Sequence, residues 1–247
     1  MLLDQKNEEE FRRKQGIEEL GGYDAVIFRL GLRFEGLPNF PPPEPEVYGL
    51  ESLSGLKVYK GSRGGKEILF APTLMGAAAA SFNIERYLCH SPASVGIGVG
   101  YCGGLKAEIE IGRIIIPAKA IIGEGTSKYY GKGEISSADQ SLVRRLVDVT
   151  RRFGYEPLLG EIYSIDAPFM ETPDLISELS QQGILGIDME TSALFSIAEY
   201  HGKRAAAILV VSDKPHESPL YGFDPPLQAI EGITEDVIKI CIQALTG

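Results

Sequence analysis

Cysteine and histidine are scarce in this chain: 247 residues hold three of each. Cys89, Cys102 and Cys241 have no C-x-x-C spacing, which argues against a disulfide framework or a zinc ribbon and for reduced thiols in a cytoplasm. His90, His201 and His216 are scattered along the sequence, so neither a His-rich metal site nor a metal cofactor is expected. Positive charge is in deficit as well. With 24 Lys and Arg against 34 Asp and Glu, the formal net charge is -10, a poor basis for nucleic-acid binding. A small anionic substrate stays open, because a site can be locally positive. No apolar run approaches the ~18 residues of a membrane span. The opening MLLDQKNEEEFRRKQ lacks the apolar centre of a signal peptide, so the expected location is cytoplasmic.

What is present is ordinary globular composition, 44% hydrophobic and 23% charged, at a length that one large core can organise. Residues 1–247 are read as a single domain, of which 1–50 form a polar, helical lead-in and a proline-rich arm. That arm, residues 36–47 (GLPNFPPPEPEV), cannot be helical. Beyond it the pattern alternates. Asp24 to Leu30, Glu67 to Ala71, Val95 to Val99, Arg113 to Ile122 and Leu158 to Ile165 read as strands. The run Ala205 to Val211 (AAAILVV) reads as a buried central strand. Lys60 to Lys66 reads as a hairpin turn. Helices are expected over Ala77 to Leu88, Asp139 to Phe153, Pro173 to Gln182, Glu190 to Tyr200 and Gln228 to Leu245; in the second, Leu142, Val143, Leu146 and Val149 share a face. The sum is an α/β fold, a three-layer sandwich around a mixed central sheet.

In such sheets ligands bind beyond the carboxyl ends of the strands. Four such ends carry unusual residues: Met75-Gly76, Gly100 to Gly104, Asp188-Met189-Glu190 and Ser212-Asp213. A carboxylate following AAAILVV sits at a strand mouth, where desolvation makes it a proton donor; a turn or helix cap is an equally good reading from position alone. Around Met189, one acid can cap the helix while the other faces the cleft and accepts hydrogen bonds from a vicinal diol. Taken alone, an acidic helix N-terminus is the simpler account. Methionine offers a soft surface to a sugar. The glycines of Gly96 to Gly104 serve either close ligand approach or tight strand packing, and they lack the Lys-Ser/Thr ending of a P-loop.

Together these segments resemble the purine nucleoside and uridine phosphorylase superfamily from about Glu67 to about Leu245. The strongest parts are Gly186-Ile-Asp-Met-Glu-Thr-Ser-Ala193 and Ala207-Ile-Leu-Val-Val-Ser-Asp213. Gly103-Gly104 with Ile111-Gly-Arg-Ile-Ile-Ile-Pro117, Glu124-Gly-Thr-Ser127 and Tyr163-Ser-Ile-Asp-Ala-Pro-Phe169 extend them. The resemblance implies that Glu190 binds the ribose hydroxyls and that Met189 and Met75 contact the sugar. It implies that Phe169, or a neighbour one residue away, stacks on the base, that Asp213 protonates a purine at N7, and that Ser212 orients Asp213. Gly103 and Gly104 would border the substrate, and Arg29, Gly31 and Arg33 are the phosphate candidates. It further implies a homo-oligomer, dimer or hexamer, with a nucleoside or nucleotide as substrate.

The chain also departs from the family pattern. Gly98 stands where phosphorylases of this kind place an Arg, and Tyr101 stands in a Ser/Thr slot. Gly100-Tyr-Cys-Gly-Gly-Leu105 and Ser212-Asp-Lys-Pro215 are more like the catalytic domain of AMP nucleosidases. These departures tilt the expectation slightly toward hydrolysis, with Glu190 the nearest candidate for the base that activates water. Phosphorolysis with free phosphate is the alternative. A nucleoside-binding protein without turnover is the rival from another class; the presence of both Glu190 and Asp213 argues against it.

Overall fold

A computed structural model describes residues 5–31, 46–51, 57–216, 230 and 232–247. Arg33 and the arm from Pro38 to Pro45 lie outside the described residues.

The lead-in is helix α1 (Gln5–Lys14), and the first strand, β1 (Ala25–Arg29), is buried. Strand β2 (Glu46–Glu51) begins within the segment read as an arm. It pairs antiparallel with β3 (Lys57–Arg63), which turns at Gly64-Gly65 into β4 (Lys66–Pro72). The expected hairpin is therefore present, with longer strands than expected. Helix α2 (Ala77–Ile84) does not run unbroken to Leu88 but widens into a π-helical turn, Glu85–Cys89.

Strand β5 (Val95–Gly104) runs through the glycine-rich stretch instead of ending at Val99. The reason is steric. A Cβ on Gly98 would stand 2.7 Å from Leu30 Cδ1 and 2.8 Å from Leu194 Cδ2, so these glycines admit neighbouring side chains against a bare strand.

Next come β6 (Ile114–Gly123), β7 (Ile135–Ser137), α3 (Gln140–Arg152), β8 (Leu158–Ile165) and α4 (Pro173–Gln181). The chain closes with β9 (Gly186–Asp188), α5 (Thr191–Tyr200), β10 (Arg204–Asp213) and α6 (Ile233–Thr246). The Asp139 side chain caps α3 by accepting the Leu142 amide at 2.9 Å, and Leu142, Val143, Leu146 and Val149 form its buried face as their spacing predicts. The closing helix was expected from Gln228; its described body starts at Ile233.

All ten strands among the described residues join one mixed sheet. Strands β5, β10, β6, β8 and β9 pair in a ring, because β9 returns to β5 through Gly103 opposite Ile187 and Gly104 opposite Gly186. From β5 the sheet continues outward through β1, β4, β3 and β2. Helices α2 and α5 pack on each other, as do α3 and α6, and each pair packs on the sheet. This is the α/β architecture with a mixed central sheet that the alternation implied. Closure of the ring brings the ends of β5, β9 and β10 together, and β1 delivers Gly31 beside them.

Candidate active site

An open cleft of about 670 Å³ lies where those ends meet. Leu30 and Gly31 enter after β1, Met75 after β4, and Tyr101, Cys102 and Gly103 from the end of β5. Pro168 and Glu171 come after β8, Ile187 to Glu190 from β9 and its exit, and Ser212 and Asp213 from the end of β10.

The turn from β9 into α5 assigns the two acids different tasks. Asp188 accepts hydrogen bonds from Ser164 Oγ at 2.5 Å, the Thr191 amide at 3.0 Å and the Thr191 hydroxyl, so it holds the helix start. Glu190 reaches across the cleft, and its Oε1 accepts the Gly76 amide at 2.6 Å. Gly76 can present that amide because its φ of +89° is open to glycine and strained for other residues. Gly31, at φ +71°, approaches the same carboxylate. Its own amide is held by Thr73 Oγ1 at 3.0 Å.

Behind this wall, Ser164 Oγ also accepts the Ser192 amide at 3.0 Å, and Ser192 Oγ donates to Glu124 Oε1 at 2.9 Å. Glu124, 2% exposed, further accepts the Thr126 and Ser127 amides. The segment Glu124 to Ser127 thus buttresses the first turn of α5.

On the opposite wall Ser212 Oγ donates to Asp213 Oδ1 at 2.7 Å. Asp213 closes a strand and caps no described helix. Burial raises its carboxyl above the ordinary range, and the Ser212 hydrogen bond opposes the shift. Glu171 is pushed up to about 7, by burial and then by the charge of Asp213. Burial raises Asp188 and Glu190 too, and Glu190 feels Asp188 in addition. Asp188 has three donors that favour its charged form, whereas Glu190 has fewer, so Glu190 is the member of the pair that retains a proton. Among the described residues lining the cleft there is no Lys, Arg or His.

Of the residues singled out in the sequence, the fold gathers Met75, Gly103, Met189, Glu190, Ser212, Asp213 and Gly31 around one cleft. Phe169 does not line it. The short 3-10 turn Pro168–Met170 puts Pro168 in the wall and leaves Phe169 70% exposed, one residue away from the expected stacking position. Gly104 pairs with Gly186 and packs near Val211 and Ile109 instead of bordering the cleft. Arg29, at the end of β1, is not among the lining residues either. Glu171 was missed: nothing in its local sequence marks it, and its place depends on the turn after β8 folding toward Asp213.

Chemically, the cleft gathers carboxyls that burial raises, two methionines and apolar surface. A family model described as the phosphorylase superfamily matches residues 24–239. A DeoD-type purine nucleoside phosphorylase of Roseobacter denitrificans is 28% identical over 201 residues, 81% of this chain and 82% of that one. A DeoD-type purine nucleoside phosphorylase of Bacillus subtilis is 24% identical, over 78% and 82% of the two chains. Among solved structures, a uridine phosphorylase from Vibrio fischeri superposes with a TM-score of 0.79 at 24% identity, covering 92% of this chain and 93% of that one; this likeness speaks to the fold.

Proposed function

This chain belongs to the phosphorylase superfamily, and we propose that it cleaves the N-glycosidic bond of a purine nucleoside with phosphate as the nucleophile. The observation that carries the reading is the placement of Asp213 and Glu190 in the lining of one cleft, together with Met75 and Met189. Bond cleavage leaves positive charge on the sugar and negative charge on the departing base. Asp213, whose carboxyl burial raises and whose orientation Ser212 sets, supplies the proton to N7 of a purine. Glu190, fixed by the Gly76 amide, accepts hydrogen bonds from the ribose hydroxyls. Pro168 takes the apolar wall beside the base in place of Phe169, and Glu171 faces the base edge next to Asp213. With its carboxyl near 7, Glu171 either donates to a ring acceptor or accepts from an amino group.

Phosphate is favoured over water because the likeness to named purine nucleoside phosphorylases spans about four-fifths of the chain. That outweighs the local departures that tilt toward hydrolysis. One observation keeps hydrolysis as the second reading. The space beside Gly98 is filled by Leu30 and Leu194, so no guanidinium occupies it. Cations for phosphate then come from Arg33, which lies outside the described residues, or from a neighbouring subunit. A homo-oligomer, dimer or hexamer, is part of the proposal. It is supported by large apolar side chains left exposed, among them Tyr129, Phe169 and Met170. Sedimentation showing a fully active monomer refutes that part.

The deciding assay incubates the protein with inosine, adenosine and AMP, with and without phosphate, and identifies the sugar product. Ribose 1-phosphate formed only with phosphate supports the proposal. Free ribose or ribose 5-phosphate formed without phosphate moves it to hydrolysis. Tight binding with no release of base leaves a binding protein.

A further inference from the structure

The scatter of histidines in the sequence is undone by the fold. His90 follows the π-helical turn Glu85–Cys89, and His201 caps the C-terminus of α5, the helix whose other end follows Glu190. The π turn, closed by the His90 amide to the Glu85 carbonyl at 3.0 Å, carries Glu85 and Cys89 to His201. Such turns recur at functional sites, because the widened backbone re-aims side chains.

Three donor groups converge there, with His90 beside them. His201 Nε2 lies 2.9 Å from Glu85 Oε2, and His90 Nε2 lies 3.4 Å from the same oxygen. Ligand atoms of Glu85, Cys89 and His201 all fall within 4.8 Å of one another. Glu85 Oε2 is shut off from solvent and makes no hydrogen bond of good geometry, although two imidazole nitrogens face it. Glu85 Oε1 is held in place by the Tyr130 hydroxyl at 2.8 Å and by His201 Nε2 at 3.0 Å. The remaining nitrogen of His90 looks toward Glu8 at 3.7 Å, an outer carboxylate of the kind that orients a metal-bound imidazole. An imidazole–carboxylate cluster by itself needs no thiol, and here a half-buried one stands among the donors.

We propose that Glu85, Cys89, His201 and His90 bind a divalent ion of the zinc class. The set of one oxygen, one sulfur and two nitrogens suits a borderline metal in tetrahedral coordination. Bonds of about 2.0–2.3 Å bring such ligand atoms within about 4 Å of each other; Glu85, Cys89 and His201 already stand close to this spacing, and His90, 3.4 Å from Glu85 Oε2, completes the set by turning its side chain inward. Four protein ligands make a closed, structural site. It joins α1, α2 and α5 at the far end of α5 from Glu190, about 15 Å away for a ten-residue helix.

The test uses the full chain stripped with a chelator. Calorimetric titration with Zn²⁺ is expected to show one equivalent bound per chain, with a rise in Tm. Co²⁺ is expected to give a thiolate-to-cobalt charge-transfer band together with tetrahedral visible bands. Cys89→Ser is expected to abolish the charge-transfer band, and both Cys89→Ser and His201→Gln to weaken Zn²⁺ by more than ~100-fold, beyond the loss typical of an outer partner. Absence of stoichiometric binding, Co²⁺ binding without a thiolate band, or unchanged Zn²⁺ affinity in both variants overturns the site. The wild-type cobalt spectrum decides the question even if a variant fails to fold.

Discussion

Helix α5 separates two groups of carboxylates that the fold treats in opposite ways. At its N-terminal end, Asp188, Glu190, Glu171 and Asp213 crowd one cleft with no basic side chain in its described lining, and burial pushes each carboxyl upward. At its C-terminal end Glu85 is also largely buried, which alone pushes its carboxyl up. The imidazoles of His201 and His90 and the Tyr130 hydroxyl outweigh that and hold it at about 2. Burial is common to both ends. Whether a carboxyl becomes an acid or a fixed anion is decided by the donors around it. A cleft of carboxyls raised by burial suits donation to a leaving group; a carboxylate ringed by imidazoles suits a cation.

The sharpest way to break this comparison is to remove the proton at the N-terminal end. Asp213→Asn keeps the shape and the Ser212 contact but cannot supply a proton. General acid catalysis is worth ~10²–10⁴-fold, so kcat on a purine nucleoside is expected to fall by that factor while substrate binding changes far less. Near wild-type turnover removes Asp213 from the mechanism. Glu190→Ala comes next. Leaving the ribose hydroxyls without their partner is expected to cost about 1–3 kcal/mol in kcat/KM. A 2′-deoxy substrate should lose less than the ribo form, and equal losses on both sugars would count against the diol contact.

Much of the cleft could be read before the fold was known, and the reasons are local. Asp188-Met189-Glu190 and Ser212-Asp213 each follow an apolar strand, so their place at a strand mouth is written in consecutive residues. The strand-to-helix alternation was visible for the same reason. Strand β5 was cut short at Val99 because glycines weaken a strand in isolation; only Leu30 and Leu194, packed against Gly98, explain why they belong in one. Phe169 was placed by the resemblance of the stretch Tyr163 to Phe169 to a base-stacking segment, but the turn at Pro168 decides which side chain faces inward. Glu171 beside Asp213, and Glu85 beside His201, are pairings across 42 and 116 residues. No periodicity or motif spans such distances, so these sites were out of reach.

A third test addresses the scaffold that keeps Asp188 charged beside a protonated Glu190. Ser164→Ala removes a donor to Asp188 and leaves the Ser192 amide without its acceptor, all in buried surroundings. Unsatisfied buried polar groups cost about 1–3 kcal/mol each, so the denaturant midpoint is expected to drop with an unchanged m-value. A midpoint equal to wild type means that Asp188 is held by Thr191 alone.

The smallest effect is the most specific to the contrast between the two ends. Glu171 has a folded carboxyl near 7 against an ordinary value of 4.5, raised by burial and then by Asp213. Between those two values the folded chain keeps a proton that the unfolded chain has released. Stability must therefore fall as pH rises through that window, and the loss is complete above about 7. Glu171→Gln has nothing to titrate and escapes it. Thermal melts of wild type and variant at pH 5 and pH 8 are the measurement. The Tm of the variant relative to wild type is expected to be higher at pH 8 than at pH 5, whatever constant offset the substitution adds. An offset that is the same at both pH values would show that Glu171 titrates as an ordinary surface acid, and that the cleft does not hold its protons as burial demands.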